Sequence, residues 1–366
     1  MARTHKDSHM TQATPILQVQ PLGPLWPTMD PFLFCAHHDD AYPASNGQMG
    51  VEAVEFEGRH MGSDFSRRDG FSMYHGEPVP GFPGHPHRGF ETVTLVRKGL
   101  IDHSDSLGAA ARYGGGDVQW LTAGRGIQHA EMFPLLETGQ ANPLELFQIW
   151  LNLPARSKMV EPHFTMFWHE RIPRITQHDA QGRETEITVI AGALPATGEQ
   201  PQARPLAPPP ESWAADPGAD VAIWTLKLAP GARWTLPRAA GEATQRMLYF
   251  FAGAGLRIGG KAVHAHAALQ VNAQHDWELF NGGNAPIECL LLQGRPIGEP
   301  VVQYGPFVMN SQEQIMQTLQ DYRRTQFGGW PWSDQAPVHG AQYRRFARYP
   351  GRTEDEEPAF AAARQG

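Results

Sequence analysis

The 366-residue chain reads as an all-β protein: two antiparallel β-sandwich or barrel domains followed by one short C-terminal helix. Three observations predict this. Short β-type runs recur, each closed by turn residues: ETVTLVRKG, GDVQWLTAG, LELFQIWLNLP, ITVIAG, VAIWTLKLAPG, RMLYFFAGAG, IECLLLQG. Such spacing suits hairpins and Greek keys better than alternating strands and helices. The pattern also occurs twice. ETVTLVRKGLIDHSD with GGGDVQWLTAG is echoed by RMLYFFAGAGLRIGG with HAALQVNAQHDWELFNGG, which implies a degenerate duplication. Finally, with 32 prolines and 38 glycines, few long helical patterns occur.

Taken in order, residues 1–20 are polar and read as a disordered tail. Residues 21–185 form the first domain and 186–310 the second. Inside the second, 195–220 (PATGEQPQARPLAPPPESWAADPGAD) carries seven prolines and few large apolar side chains, so an exposed insertion or linker is expected. Residues 311–366 hold the helix and a tail. In NSQEQIMQTLQDYRRTQFGG, Ser311 and Gln314 have capping-box spacing, and Ile315, Leu319 and Tyr322 make an apolar stripe. Arg323 and Arg324 occupy its last turn ahead of two glycines. The tail GRTEDEEPAFAAARQG is acidic and small, and is expected to fray.

Composition narrows the function. Apolar residues make up 41%, charged residues 19%, and the net charge is −8. That balance argues against non-specific nucleic-acid binding, which needs a basic patch to neutralise phosphates. No apolar run reaches the roughly 18 residues of a membrane span. The N-terminus lacks the apolar core of a signal peptide. Cys35 (FLFCA) and Cys289 (IECLLL) sit apart in apolar settings and read as buried free thiols, so a cytoplasmic location is expected.

GHPHRGFETVTLV places His85 and His87 two residues apart at the front of a β-type run. Strand side chains repeat every second residue, so both imidazoles face one way. Pro86 between them favours extended geometry but forfeits a ladder hydrogen bond, which points to a strand end or an edge. In LTAGRGIQHAEMF, His129 and Glu131 repeat the spacing. Two such pairs on neighbouring strands can converge, giving three neutral imidazoles and one carboxylate. That donor set suits one mononuclear divalent transition metal, Fe(II), Mn, Cu, Ni or Zn, and lacks the thiolates of a closed structural zinc site.

GFPGHPHRGFETVTLVRKG, DHSDSLGA, GGGDVQWLTAGRGIQHAEMF and LFQIWLNLP together resemble the pirin family of the cupin superfamily, and GPFVMNSQEQI and FGGWPW extend the likeness to most of residues 25–332. The resemblance implies two cupin domains, a bicupin, and iron ligated by His85, His87, His129 and Glu131. A general cupin would recruit Glu91, three residues beyond the HxH. The pirin pattern favours Glu131 and leaves Glu91 a structural or supporting role. It also implies a metal-free second cupin.

Other ligand-rich stretches read as ordinary structure. HHDD (His37 to Asp40) reads as a polar loop, because contiguous residues alternate faces. DHSDS (His103, Asp105, Ser106) reads as a strand-end turn, since no nucleophile elbow accompanies it. His264 and His266 in VHAHAAL read as surface histidines without a following HxE. GAGLRIGG lacks the following helix of a dinucleotide fingerprint.

Two functions fit. Bacterial pirins resemble quercetin 2,3-dioxygenases, which implies a dioxygenase cleaving a flavonol such as quercetin. Glu131 would then be the catalytic base, two metal positions would stay open for substrate or dioxygen, and Phe82, Trp120, Met132 and Phe133 would line the pocket or pack in the core. The alternative that the resemblance implies is a non-enzymatic, redox-responsive iron protein that regulates a protein partner. The acidic balance suits a protein partner better than DNA.

Overall fold

The computed structural model describes residues 13–196 and 202–358. Four antiparallel sheets stack face to face, two per domain, with apolar layers between them. The first outer sheet holds Gly81–His87, Ile127–Met132, Leu100–Asp105, Ala110–Gly114 and Phe346–Arg348 in that spatial order. The first inner sheet runs Phe32–Tyr42, Asn142–Asn152, Phe90–Lys98, Val118–Thr122, His163–Phe167. The second domain offers a seven-stranded inner sheet and a four-stranded outer one. Both halves are thus two-sheet sandwiches, as the repeated pattern implied.

Strict alternation assigns the layers. Along Phe90–Lys98, Val96 packs into the first sandwich with Ile101, Tyr113 and Ile127. Val93 and Leu95, of opposite parity, pack between the domains against Ile223, Met247 and Leu290. The second sandwich is filled by Leu226, Leu248, Phe250, Leu279 and their neighbours.

Several segments differ from expectation. Residues 1–12 of the expected tail lie outside the described residues, but Ile16–Pro21 is a strand paired with Ala267–Val271. Only Leu17–Gln20 alternates apolar and polar side chains, too short a pattern to stand out among its polar neighbours. Arg174–His178 and Glu184–Ala191 belong to the second domain's inner sheet, so that sheet begins before residue 186. The proline-rich segment is not wholly exposed. Residues 197–201 lie outside the described residues, but Ser212, Trp213 and Ala219 are buried, with Trp213 and Ala219 in the layer between the domains. Tight turns on prolines let so polar a stretch return one indole to the core. The acidic tail is tied down as far as it is described: Ala347 and Glu356 exchange two backbone hydrogen bonds, and Asp355 pairs with Arg344 and Arg348. Residues 359–366 lie outside the described residues.

The helix forms at Gln312–Thr325. Ser311 Oγ accepts from Gln314 N at 3.3 Å, and the Gln314 side chain accepts from Asn310 N at 2.8 Å. Its Ile315 packs on Phe307 and Met309 of a small hairpin. From there the chain returns to the first domain. Arg88 is buried and donates to Asp321 at 2.9 Å and to Arg125 O at 2.6 Å, while Gly84 N donates to Gln335 O at 2.7 Å. This strap braces the strands that carry the histidine pairs.

Candidate metal centre

Gly81–His87 is an edge strand of the first outer sheet, where Pro86 has no ladder partner to lose on its open side. It pairs antiparallel with Ile127–Met132, and His85 stands directly across from His129. Period-2 alternation sends His85, His87, His129 and Glu131 inward, and sends Gln128 outward to bond Gln326 O and Gly329 O of the strap. The ligand nitrogens of His85, His87 and His129 lie within 4.8 Å of one another. Glu131 adjoins this group, with Oε2 4.0 Å from His129 Nε2.

The three imidazoles suit a cation. His129 is fully buried, and neither ring nitrogen has a hydrogen-bond partner. A buried histidine with two orphaned nitrogens costs free energy unless something occupies them. Burial also keeps the rings neutral: the His85 pKa is pushed down to about 4, and those of His87 and His129 fall well below the usual histidine value. Neutral imidazole is the form that ligates. His85 Nδ1 donates to Pro83 O at 2.8 Å, which fixes the tautomer and leaves Nε2 free.

A second layer orients the carboxylate. Thr94 Oγ1 and Gln148 Nε2 each donate to Glu131 at 3.1 Å. Burial, the largest influence, raises the Glu131 pKa. His103 stacks on Phe164 and bonds Gln119 and Asp105, placing another buried ring beside His129 at 5.5 Å between centroids. Thr94, Gln148 and Gln119 escaped the sequence reading, and His103, read as part of a strand-end turn, lies within strand Leu100–Asp105 beside the histidine cluster. The only signal for them was their parity on strands facing the HxH pair.

Glu91 stands elsewhere. It has the opposite parity to Thr94 and points into the layer between the domains, where it accepts from Thr122 Oγ1 at 2.7 Å and from Ser212 Oγ. Its burial raises its pKa to about 7.

His85, His87 and Glu131 open onto a cavity of about 780 Å³ whose walls include Phe82, Phe133, Trp150, Trp26 and Phe251. Phe82 and Phe133 line it as expected. Trp120 and Met132 do not: Trp120 belongs to the layer between the domains, and Met132 has outward parity in its strand. HHDD is not a loop but the end of strand Phe32–Tyr42, and His38 lines the cavity. His264 and His266 are exposed in the second domain, His266 at the cavity's edge. Asp105 caps its own turn, accepting from Leu107 N and Ala109 N at 2.9 Å each. Both cysteines are free and buried, and burial pushes both thiol pKa values up.

Among the described residues, one further group has metal-ligand spacing, Asp117, His169 and Glu170. Arg345 already fills it, bonding all three.

Comparison with known proteins finds relatives in sequence and in fold. Residues 18–151 match the sequence profile of the family Pirin, and residues 223–328 that of the Pirin C-terminal cupin domain. A protein of Pseudomonas aeruginosa described as a candidate quercetin 2,3-dioxygenase is 34% identical over 248 residues, covering 66% of this chain and 78% of the relative. Human Pirin is 33% identical over 267 residues, covering 70% and 81%. The crystal structure of a quercetin 2,3-dioxygenase from Acinetobacter baumannii superposes with a TM-score of 0.60 at 25% identity, over 86% of this chain and 96% of that one.

Proposed function

The chain belongs to the pirin family, and from that premise we propose that it is a metal-dependent dioxygenase that cleaves a flavonol such as quercetin. One observation carries the reading: the ligand nitrogens of His85, His87 and His129 cluster within 4.8 Å, His87 and His129 keep buried nitrogens without hydrogen-bond partners, and His85, His87 and Glu131 line a large cavity walled by aromatic side chains. His85, His87, His129 and Glu131 would hold a single divalent ion, Fe(II) by preference among Fe, Mn, Cu, Ni and Zn. When bound, such an ion supplies a Lewis acid and a centre for dioxygen chemistry.

The protein's own groups then have defined tasks. Phe82, Phe133 and Trp150 offer flat apolar surfaces against which a planar polyphenol stacks and from which it displaces water. Glu131 serves as general base for the flavonol 3-hydroxyl. Its carboxylate lines the cavity beside His85 and His87, where a bound hydroxyl would reach it. Thr94 and Gln148 keep it aimed. His85, held through Pro83 O, keeps its ring from turning away.

The test is aerobic loss of quercetin absorbance by metal-reconstituted protein, set against His87→Ala. Turnover by the first and none by the second is expected. Absence of turnover with any flavonol, in protein that retains its metal, would remove the enzymatic reading and leave that of a regulatory iron protein.

A further inference from the structure

The cavity has a second polar end. His38 and Asp40 share the inward face of strand Phe32–Tyr42, and both meet Tyr74. Tyr74 Oη donates to Asp40 Oδ2 at 2.7 Å, so its oxygen is an acceptor towards His38 Nδ1, also 2.7 Å away. That order of donors fixes the tautomer: Nδ1 carries the proton, and Nε2 carries a lone pair. No hydrogen bond to Nε2 is formed by any described residue, and His38, Tyr74 and Phe82 all line the cavity. Asp40 is itself buried and held by Ser72 N at 2.9 Å, so the chain is anchored at its far end.

The backbone is strained to build this arrangement. Tyr74 has φ +57°, a left-handed conformation that costs a bulky residue free energy. Two backbone hydrogen bonds with Asp64, each 2.8 Å, hold it there. Phe82 lies between the two polar ends, with its ring centroid 6.0 Å from His38 and 6.3 Å from His85. The ends of the cavity are therefore separated by one aromatic side chain, a span suited to a planar molecule of two or three rings.

We propose that His38 Nε2 accepts a hydrogen bond from a remote phenolic hydroxyl of the substrate, with Tyr74 and Asp40 as positioning residues that hold the lone pair towards it. This rests on the reading of the cavity as a flavonol site. It goes further by assigning selectivity for polyhydroxylated over unsubstituted flavonols to a group outside the metal centre. Burial, which pushes the His38 pKa down to about 4, keeps the ring an acceptor at neutral pH.

Equilibrium binding of quercetin and of 3-hydroxyflavone to the full-length protein under anaerobic conditions tests it without any need for turnover. 3-Hydroxyflavone keeps the 3-hydroxyl and the carbonyl but lacks the remote hydroxyls. The native protein should bind quercetin about tenfold more tightly. His38→Leu should bring the ratio close to one by weakening quercetin alone, and Tyr74→Phe should lower it severalfold. His38→Gln, which retains an acceptor and guards against misfolding of the leucine variant, should keep most of the preference. Equal affinity of the native protein for both flavonols, or a ratio unmoved in His38→Leu and Tyr74→Phe, overturns the assignment even if quercetin is turned over. A ratio that behaves as expected without turnover sustains it while removing the dioxygenase.

Discussion

At the scale of single residues, the proposed centre would divide labour between holding and reacting. His129 is buried with neither ring nitrogen hydrogen-bonded and His87 with Nδ1 unpartnered, so removing either should delete one of the proposed ligands. Glu131 has Thr94 and Gln148 to hold it whether or not it binds an ion. Glu131→Gln should therefore abolish flavonol turnover while weakening metal binding less than His87→Ala does, read as metal content beside activity. Comparable metal loss in both variants would contradict the role of base. The two HxH and HxE pairs were legible because strand parity is a property of sequence spacing. His38 was not. HHDD lacks apolar residues that would mark a strand, and its meaning comes from Tyr74, 36 residues away in sequence.

At the scale of elements, alternation explains both what was read and what was missed. Each inner strand of the first domain serves two layers, so Thr94 faces the centre while Glu91 faces the other domain. The proline-rich segment could not be foreseen as a plug, because its buried residues, Ala203, Pro209, Ser212, Trp213 and Ala219, are few and follow no period. The C-terminal helix was legible from its cap and stripe, whereas its grip on the first domain comes from residues far from it in sequence, Arg88 and Gln128 among them. Arg88→Ala removes the donor to Asp321 Oδ2 and to Arg125 O. It should destabilise the protein by about 2–3 kcal/mol in denaturant titration. Unchanged stability would show that the strap contributes nothing to bracing the site.

At the scale of the molecule, the contact between domains contains an ionisable group that sets a pH dependence. Folded Glu91 keeps its proton up to about pH 7, against 4.5 for an ordinary glutamate. Its contribution to stability is thus fully present below 4.5 and is lost as pH rises through 7. Glu91→Gln keeps the hydrogen-bonding shape without the charge, and should gain up to about 3 kcal/mol over the native protein at pH 8.5 but almost nothing at pH 4. Melting temperatures of both at the two pH values measure this, and an offset independent of pH would contradict it. The two antiparallel β domains were readable from strand spacing. Which face of each sandwich met the other was not, since both faces of the inner sheets are apolar.

The central claim is that His85, His87, His129 and Glu131 hold one ion. Metal analysis with X-ray absorption of anaerobically reconstituted protein tests it most directly, comparing the native chain with His129→Ala. One ion per chain with three imidazole nitrogens, lost in His129→Ala, is the predicted result. A native chain that retains no metal, or a variant that binds it equally well with unchanged coordination, would contradict the claim.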